Sequence, residues 1–374
     1  MVESNELTLS PRKIRSILQD PEKCAQAINL QYVTDQEPGI VRVKKGDEFE
    51  YVKNKRRLRN KLDLNRIHQL AIPPAWREVW ICSLANGHLQ ATGIDSKNRK
   101  QYKYHPLWSK LRNQTKFYRL YDFGLALPII RQQLQKDLSR RGLPVEKVLA
   151  TVVWLMSQTS IRIGNSVYEK LYESFGLTTL KDKHVNITGN RLTFRFKGKK
   201  GIAHNISISN SRLARIVKQC RDIPGKELFQ FYDEEGNHRR IESGMVNDYI
   251  KSITGNDFTA KDFRTWAGTV QALIALLTTS GAETKTEIKN NVLQAVEQVA
   301  AHLGNTRAIC KKYYIHPLII DLYENNLLEK YLADETNPLR SDQNHDLTDD
   351  LTDEEKILMN ILNIEKVKSI CVQH

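Results

Sequence analysis

Near Asp122 the spacing of apolar residues changes character. Before it, short alternating runs are broken by tight-turn residues, the period-2 pattern of strands; after it, apolar residues recur at i, i+3, i+4 and i+7, the pattern of helices buried along one stripe. A chain of 374 residues with two such textures is expected to build two cores. The fold class that follows is α+β: a small β-rich N-terminal domain over 31–122 and a larger, mainly α domain over 123–330. Residues 40–43 and 48–52 flank Lys44-Lys45-Gly46-Asp47, and 79–84 and 88–92 flank Asn86-Gly87, so each pair reads as a hairpin. Residues 185–188, 191–196 and 202–208 give a three-stranded interruption of the helical part. Residues 1–30 read as a polar N-terminal extension with one helix over 10–18. Residues 331–374 read as an acidic tail, in which Asn337-Pro338 and Thr-Asp repeats form a linker before one short, loosely docked helix over 354–364.

Charge narrows the partner. Lys and Arg number 57 against 43 Asp and Glu, a net +14. Nine acids and two bases lie between Asp334 and Lys356, so the remainder carries +21. A body this cationic is expected to bind a polyanion, usually nucleic acid. Seven bases and one acid lie between Lys53 and Arg66, and eight bases and no acid between Lys97 and Arg119. The second run interleaves Tyr102, Tyr104, Trp108, Phe117 and Tyr118, which reads as a groove offering cations to phosphates and rings to sugars or bases. Five scattered cysteines without a C-x-x-C argue against a disulfide framework or a zinc site and for a reducing compartment. No apolar run approaches the roughly 18 residues of a membrane span. There is no G-x-x-x-x-G-K-[ST] loop and no clustered acidic site, so neither a nucleotide cofactor nor a metal is expected.

The chemistry centres on Leu303-Gly304-Asn305-Thr306-Arg307-Ala308-Ile309-Cys310-Lys311-Lys312-Tyr313-Tyr314-Ile315-His316-Pro317. Gly304 suits the residue after a helix end, and Asn305 or Thr306 the N-cap of a new helix carrying Tyr314. A tyrosine among cations can attack a phosphodiester and hold the product covalently. A helix opening at Pro144 with Val145, Val148, Leu149, Val152, Leu155 and Met156 inward would, if extended, put Arg162 on the same stripe, where a cation needs an anion. Arg264 stands in similar apolar company, between Phe263 and Trp266. Two glycines in Lys197-Gly198-Lys199-Lys200-Gly201 put Lys199 at a hairpin tip.

In combination these features resemble the type IB DNA topoisomerases, in their poxvirus-like and bacterial branch. The resemblance runs from about Val41 to Tyr323 through Ile72-Pro73-Pro74-Ala75-Trp76, Gln90-Ala91-Thr92-Gly93-Ile94-Asp95, Arg99-Lys100-Gln101-Tyr102-Lys103-Tyr104-His105-Pro106, Ile161-Arg162-Ile163-Gly164-Asn165, Gly176-Leu177-Thr178-Thr179-Leu180, Phe196-Lys197-Gly198-Lys199, Asp262-Phe263-Arg264-Thr265-Trp266 and the 303–316 stretch. It implies a type IB topoisomerase/tyrosine recombinase catalytic domain whose Tyr314 forms a 3′-phosphotyrosine. It implies that Arg162 and Arg264 clamp the scissile phosphate and that Lys199 protonates the leaving 5′ oxygen. Asn305, where the viral enzymes carry histidine, is implied as a hydrogen-bond donor without acid-base function. Tyr168, Arg99, Lys100, Tyr102, Lys103, Tyr104 and Lys311 are the expected DNA contacts. The implied protein is a monomer clamping double-stranded DNA, relaxing both supercoil signs without cofactor. Its bacterial branch implies a cytoplasmic, nucleoid-associated location.

Two other readings use the same residues. A tyrosine recombinase shares the Arg, Lys, Arg and Tyr chemistry, but usually places a histidine three residues before the second arginine, where this chain has Lys261. A non-catalytic architectural protein would need the basic runs but not four filled catalytic positions.

Overall fold

The computed structural model describes residues 20–46, 48–96, 100–279, 284–331 and 351–371. The chain divides between Arg119 and Leu120 into two units, three residues ahead of the division at 122/123 expected from periodicity. The helix expected over 10–18 lies outside the described residues.

In the first unit, Pro21 opens α1 (Pro21–Gln26), and the Asp20 carboxylate accepts hydrogen bonds from the Glu22 and Lys23 amides at 3.0 and 3.1 Å. Cys24, Ala25, Ile28 and Leu30 are buried with Trp108 and Leu111. Residues 20–30 are therefore packed parts of this unit and not a polar extension, because α1 closes an apolar face of its own. The expected hairpins form: β1 (Ile40–Lys45) pairs antiparallel with β2 (Glu48–Lys53), followed by β3 (Arg56–Arg57). After α2 (Lys61–Gln69), β4 (Arg77–Ile81) pairs with β5 (Leu89–Ile94), and β5 with β6 (Lys100–Tyr104). The sheet order is β3-β2-β1-β4-β5-β6. Its inward residues Ile40, Val79, Ile81 and Ala91 pack with Ile67 of α2. Helix α3 (Pro106–Tyr118) buries Trp108 and Phe117. Those two rings, expected on a groove, are buried instead, Trp108 with Leu111 against Cys24, Ala25, Ile28 and Leu30.

The second unit begins with α4 (Leu120–Leu138) and α5 (Val145–Thr159) and continues through α6 (Ser166–Tyr172). Strands β7 (Val185–Thr188), β8 (Arg191–Lys197) and β9 (Ala203–Ser209) form the three-stranded sheet. Then come α7 (Ser211–Arg221), the hairpin β10 (Gln230–Tyr232) and β11 (His238–Arg240), and α8 (Ser243–Thr254). Helices α9 (Ala260–Leu277), α10 (Lys285–Leu303), α11 (Arg307–Tyr313), α12 (Pro317–Glu324) and α13 (Asp353–Cys371), the last as far as Glu365, complete it. One continuous core joins these elements, with Phe123 of α4 edge-on to Phe258 and Phe263 at 5.3 and 5.0 Å.

Two expectations are corrected here. Helix α5 stops at Thr159, because Ser160 turns left-handed at φ 53°. Arg162 therefore stands beyond the helix and not on its stripe. The C-terminal helix is not loosely docked: Leu358, Met359, Ile361 and Leu362 of α13 lie in the main core. Its buried Glu355 accepts hydrogen bonds from Trp266 Nε1 at 2.9 Å and Arg131 Nη2 at 2.8 Å. The linker expected before it, residues 332–350, lies outside the described residues.

Candidate active site

Four chain segments meet at one corner of the second unit. Helix α10 ends on Gly304, whose φ of 57° satisfies a left-handed cap that a residue with a Cβ enters only at a cost. Thr306, and not Asn305, is then the N-cap of α11, a helix that ends as Tyr314 begins, so Tyr314 caps the helix instead of riding within it. Thr269 of α9 binds the Tyr314 carbonyl through its hydroxyl at 3.2 Å and accepts from the His316 amide at 3.1 Å. Gly268 lets α9 come this close, since a Cβ there would lie 2.7 Å from the Tyr314 carbonyl oxygen.

Arg264 is 5% exposed. Its guanidinium donates to the carbonyls of Ser160 and of Leu303, the latter at 2.8 Å, and its carbon lies 5.3 Å from the centre of the Tyr314 ring. Burial pushes its pKa down, while Tyr314 opposes the shift. Arg162 donates to Gly304 O at 3.2 Å and Asn305 Oδ1 at 2.6 Å. Burial, then Arg264, push its pKa down to about 10, so it still carries charge at neutral pH. Among the described residues no carboxylate hydrogen-bonds either guanidinium: both are oriented by neutral carbonyl or amide oxygens, which leaves their charge for an incoming anion.

Two donors point the same way. Among the described residues, Arg264 Nε and Asn305 Nδ2 are buried without a hydrogen-bond partner. An unmet buried donor costs about 1–3 kcal/mol, which a phosphate oxygen would offset. Asn305 thus spends its oxygen on Arg162 and keeps its amide N–H for donation, which suits the hydrogen-bonding part expected of it.

Lys199 sits outside this corner's packing. It is exposed on the turn after β8, where Gly198 N donates to Ile202 O at 2.7 Å and Lys200 takes φ 64°. Its ammonium lies 5.9 Å from the Tyr168 ring centre. Tyr168 is 38% exposed and stacks on Tyr172 at 5.7 Å. Lys311 is exposed on α11.

In the first unit, Tyr102 and Tyr104 are exposed and stack at 6.0 Å. Alternation along β6 puts Lys103 on the other face, so the expected trio divides between two faces. Lys100 lies on the tyrosine face, 5.8 Å from the Tyr102 ring, but is ion-paired to Asp35 at 2.5 Å, which raises its pKa. Arg99 lies outside the described residues.

Several contributors escaped the reading from residues. Ser160 supplies Arg264 with a carbonyl from a left-handed backbone and bonds His302 Nε2 through its hydroxyl at 3.1 Å. His204 lies against both Gly198 and Gly304. A serine in left-handed backbone carries no sequence signal, but counting back across the 198–202 turn would have paired His204 with Phe196.

A phenol beside one buried and one half-buried guanidinium group, with open donors and a lysine on the neighbouring turn, is the equipment of an enzyme that transfers phosphodiesters. Residues 97–343 match the family described as eukaryotic DNA topoisomerase I, catalytic core, and residues 48–95 match bacterial DNA topoisomerase IB, N-terminal domain. The chain is 35% identical to DNA topoisomerase 1B of Acanthamoeba polyphaga mimivirus, over 77% of this chain and 88% of that protein. It is 25% identical to DNA topoisomerase I of Monkeypox virus and to DNA topoisomerase 1B of Vaccinia virus (strain Copenhagen), over 62% of this chain and 72% of each. The chain belongs to the type IB DNA topoisomerases. Among the described residues no group of three or more His, Cys, Asp or Glu is placed to hold a metal, and no helix is long and apolar enough to cross a membrane.

Proposed function

We propose that this topoisomerase relaxes positive and negative supercoils of double-stranded DNA by cutting and resealing one strand through Tyr314. The observation that carries the reading is Arg264, buried beneath the Tyr314 ring and held by two carbonyls instead of an acid. As the Tyr314 Oη–phosphorus bond forms, the bond from phosphorus to the 5′ oxygen breaks. The phenol proton passes to water, and the leaving 5′ oxygen takes a proton from the Lys199 ammonium. Arg162, Arg264 and the Asn305 N–H hold the non-bridging oxygens while charge grows on them. The 3′-phosphotyrosine ester retains the energy of the broken bond, so swivelling and reversal need neither ATP nor an obligatory metal. Tyr102, Tyr104, Lys103, Tyr168 and Lys311 contact the duplex, the first two through their exposed stack. The enzyme works as a monomer in a bacterial cytoplasm, on the nucleoid.

The test is relaxation of plasmids of either sign in EDTA without ATP, with detergent trapping of covalent complexes. Wild-type protein is expected to relax both and to yield a 3′-linked adduct. Tyr314→Phe should yield none and lose on the order of 10⁵-fold or more in rate, as loss of a nucleophile does. A Tyr314→Phe protein that still formed the adduct would overturn the assignment.

A further inference from the structure

Across the β8–β9 hairpin the register pairs Phe196 with His204. Their rings stack with centroids 4.8 Å apart and planes 15° from parallel. This holds the imidazole edgewise toward two backbone segments. A Cβ built on Gly198 would lie 2.6 Å from His204 Nε2, and one built on Gly304 2.6 Å from His204 Cε1. The ring thus fills the gap between the residue before Lys199 and the residue before Asn305. Burial first, then the charges of Arg162 and Arg264, push its pKa down. It is a neutral wedge at physiological pH and adds no third cation to the corner.

The two segments it separates are not equally held. At the corner, Arg162 binds Gly304 O and Asn305 Oδ1, while the Gly304 and Asn305 amides bond the last carbonyls of α10 at 3.2 and 2.9 Å. The lysine turn is anchored at its start by the Phe175 amide, which donates to Lys197 O at 2.8 Å; beyond Lys197 its backbone bonds among the described residues, Gly198 N to Ile202 O and Gly201 N to Gly198 O at 2.7 and 3.0 Å, stay within the hairpin, and its Lys200 and Gly201 both take positive φ. Removing the wedge would therefore release the turn before the corner.

We propose that His204 is a positioning residue for strand cleavage, whose imidazole sets the Gly198-Lys199 turn against the Gly304-Asn305 corner and acts on the reaction through Lys199. The inference rests on the reading of Lys199 as proton donor to the 5′ oxygen.

The two ideas separate when single-turnover cleavage is compared on an ordinary duplex and on one whose scissile 5′ oxygen is replaced by sulfur. A thiol has a pKa near 8.5 against about 16 for water-like hydroxyls, so a 5′ thiolate departs without a proton donor. Lys199→Ala should be slow on the oxygen substrate and near wild type on sulfur. His204→Ala should slow oxygen cleavage by about 10- to 100-fold, the scale of an ångström misplacement, and sulfur cleavage by less than about threefold. His204→Gln, which keeps a planar polar group, should show the same selectivity more mildly and carries the test if His204→Ala fails to bind DNA. Equal slowing of both substrates by Lys199→Ala would remove the proton-donor reading itself. If Lys199→Ala is rescued by sulfur but the His204 variants slow both substrates alike, or slow neither, the positioning inference is wrong and His204 is a packing residue only.

Discussion

Arg264 and Lys199 are both cations assigned to one phosphate, yet their surroundings are opposites. Arg264 is buried on α9, fixed by carbonyls from two other segments. Lys199 is exposed on a glycine turn, its backbone beside two positive-φ residues. The difference follows from what each must do. A charge that stabilises a transition state works best when it needs no reorganisation, so it is worth burying despite the desolvation that lowers its pKa. A proton donor must be re-supplied from water after each transfer, so it belongs at the solvent edge. Preorganisation and access are divided between a helical corner and a hairpin.

The largest break in that division is Arg264→Lys. Lysine keeps the charge but has three donors on a single nitrogen, where the guanidinium fork reaches Ser160 O and Leu303 O and, in the proposed reaction, a phosphate as well. Cleavage is expected to slow by about 10³-fold, with DNA affinity changed by less than about fivefold, as read by single-turnover kinetics and gel shift. If Arg264→Lys cleaves within tenfold of wild type, charge alone suffices and the carbonyl-held geometry is incidental.

Lys199→Ala is expected next, slower by about 10²-fold on an ordinary duplex. Because Lys199 is exposed, its melting temperature should move by less than about 1 °C. A substantial loss of thermal stability would mean that the turn is part of the packed corner, and the contrast with Arg264 would collapse.

How far the residues alone revealed this site depended on what kind of signal each part leaves. The hairpins, the β8–β9 turn and the break at Gly304 follow from local spacing and backbone rules, which a single sequence carries. Tyr314, Arg162, Arg264 and Asn305, which the corner brings together, were picked out by residue types in a recognisable order, as was Lys199 on its separate turn. What holds them was not. The Ser160 and Leu303 carbonyls that aim Arg264 come from every residue's backbone alike, and only the end of α5 at Thr159 brings Ser160 O into place. The same limit explains Trp108: its ring type matched a groove, while its burial was decided by an α1 some eighty residues away. The tail failed differently. Its amphipathic helix was expected but read as loosely docked, and a buried glutamate among apolar neighbours looks from sequence like a solvated charge.

That glutamate gives the smallest expected effect on catalysis and the clearest on stability. Burial raises the Glu355 pKa, but the Arg131 guanidinium and the Trp266 N–H outweigh it and leave the carboxyl below its ordinary value. The sign follows: the folded state holds the ionised form, so the contribution is complete above the ordinary glutamate pKa of about 4.3 and is lost as pH falls through the lower folded value. Glu355→Ala removes a buried acceptor shared by α4 and by the helix that carries Arg264, at a cost of about 2 kcal/mol, discounted because Arg131 is partly exposed. In a unit of this size that lowers the melting temperature by about 5 °C at pH 7. Glu355→Gln, which retains one acceptor oxygen, should lose less and should flatten the fall in stability below pH 4. Cleavage well below the melting temperature should change by less than about threefold, because Arg264 keeps both of its carbonyls. An unchanged melting temperature in Glu355→Ala would return α13 to the status of an accessory tail; a hundredfold loss of cleavage with stability intact would instead place Glu355 among the residues that aim Arg264, and the corner would extend through Trp266 to the C-terminal helix.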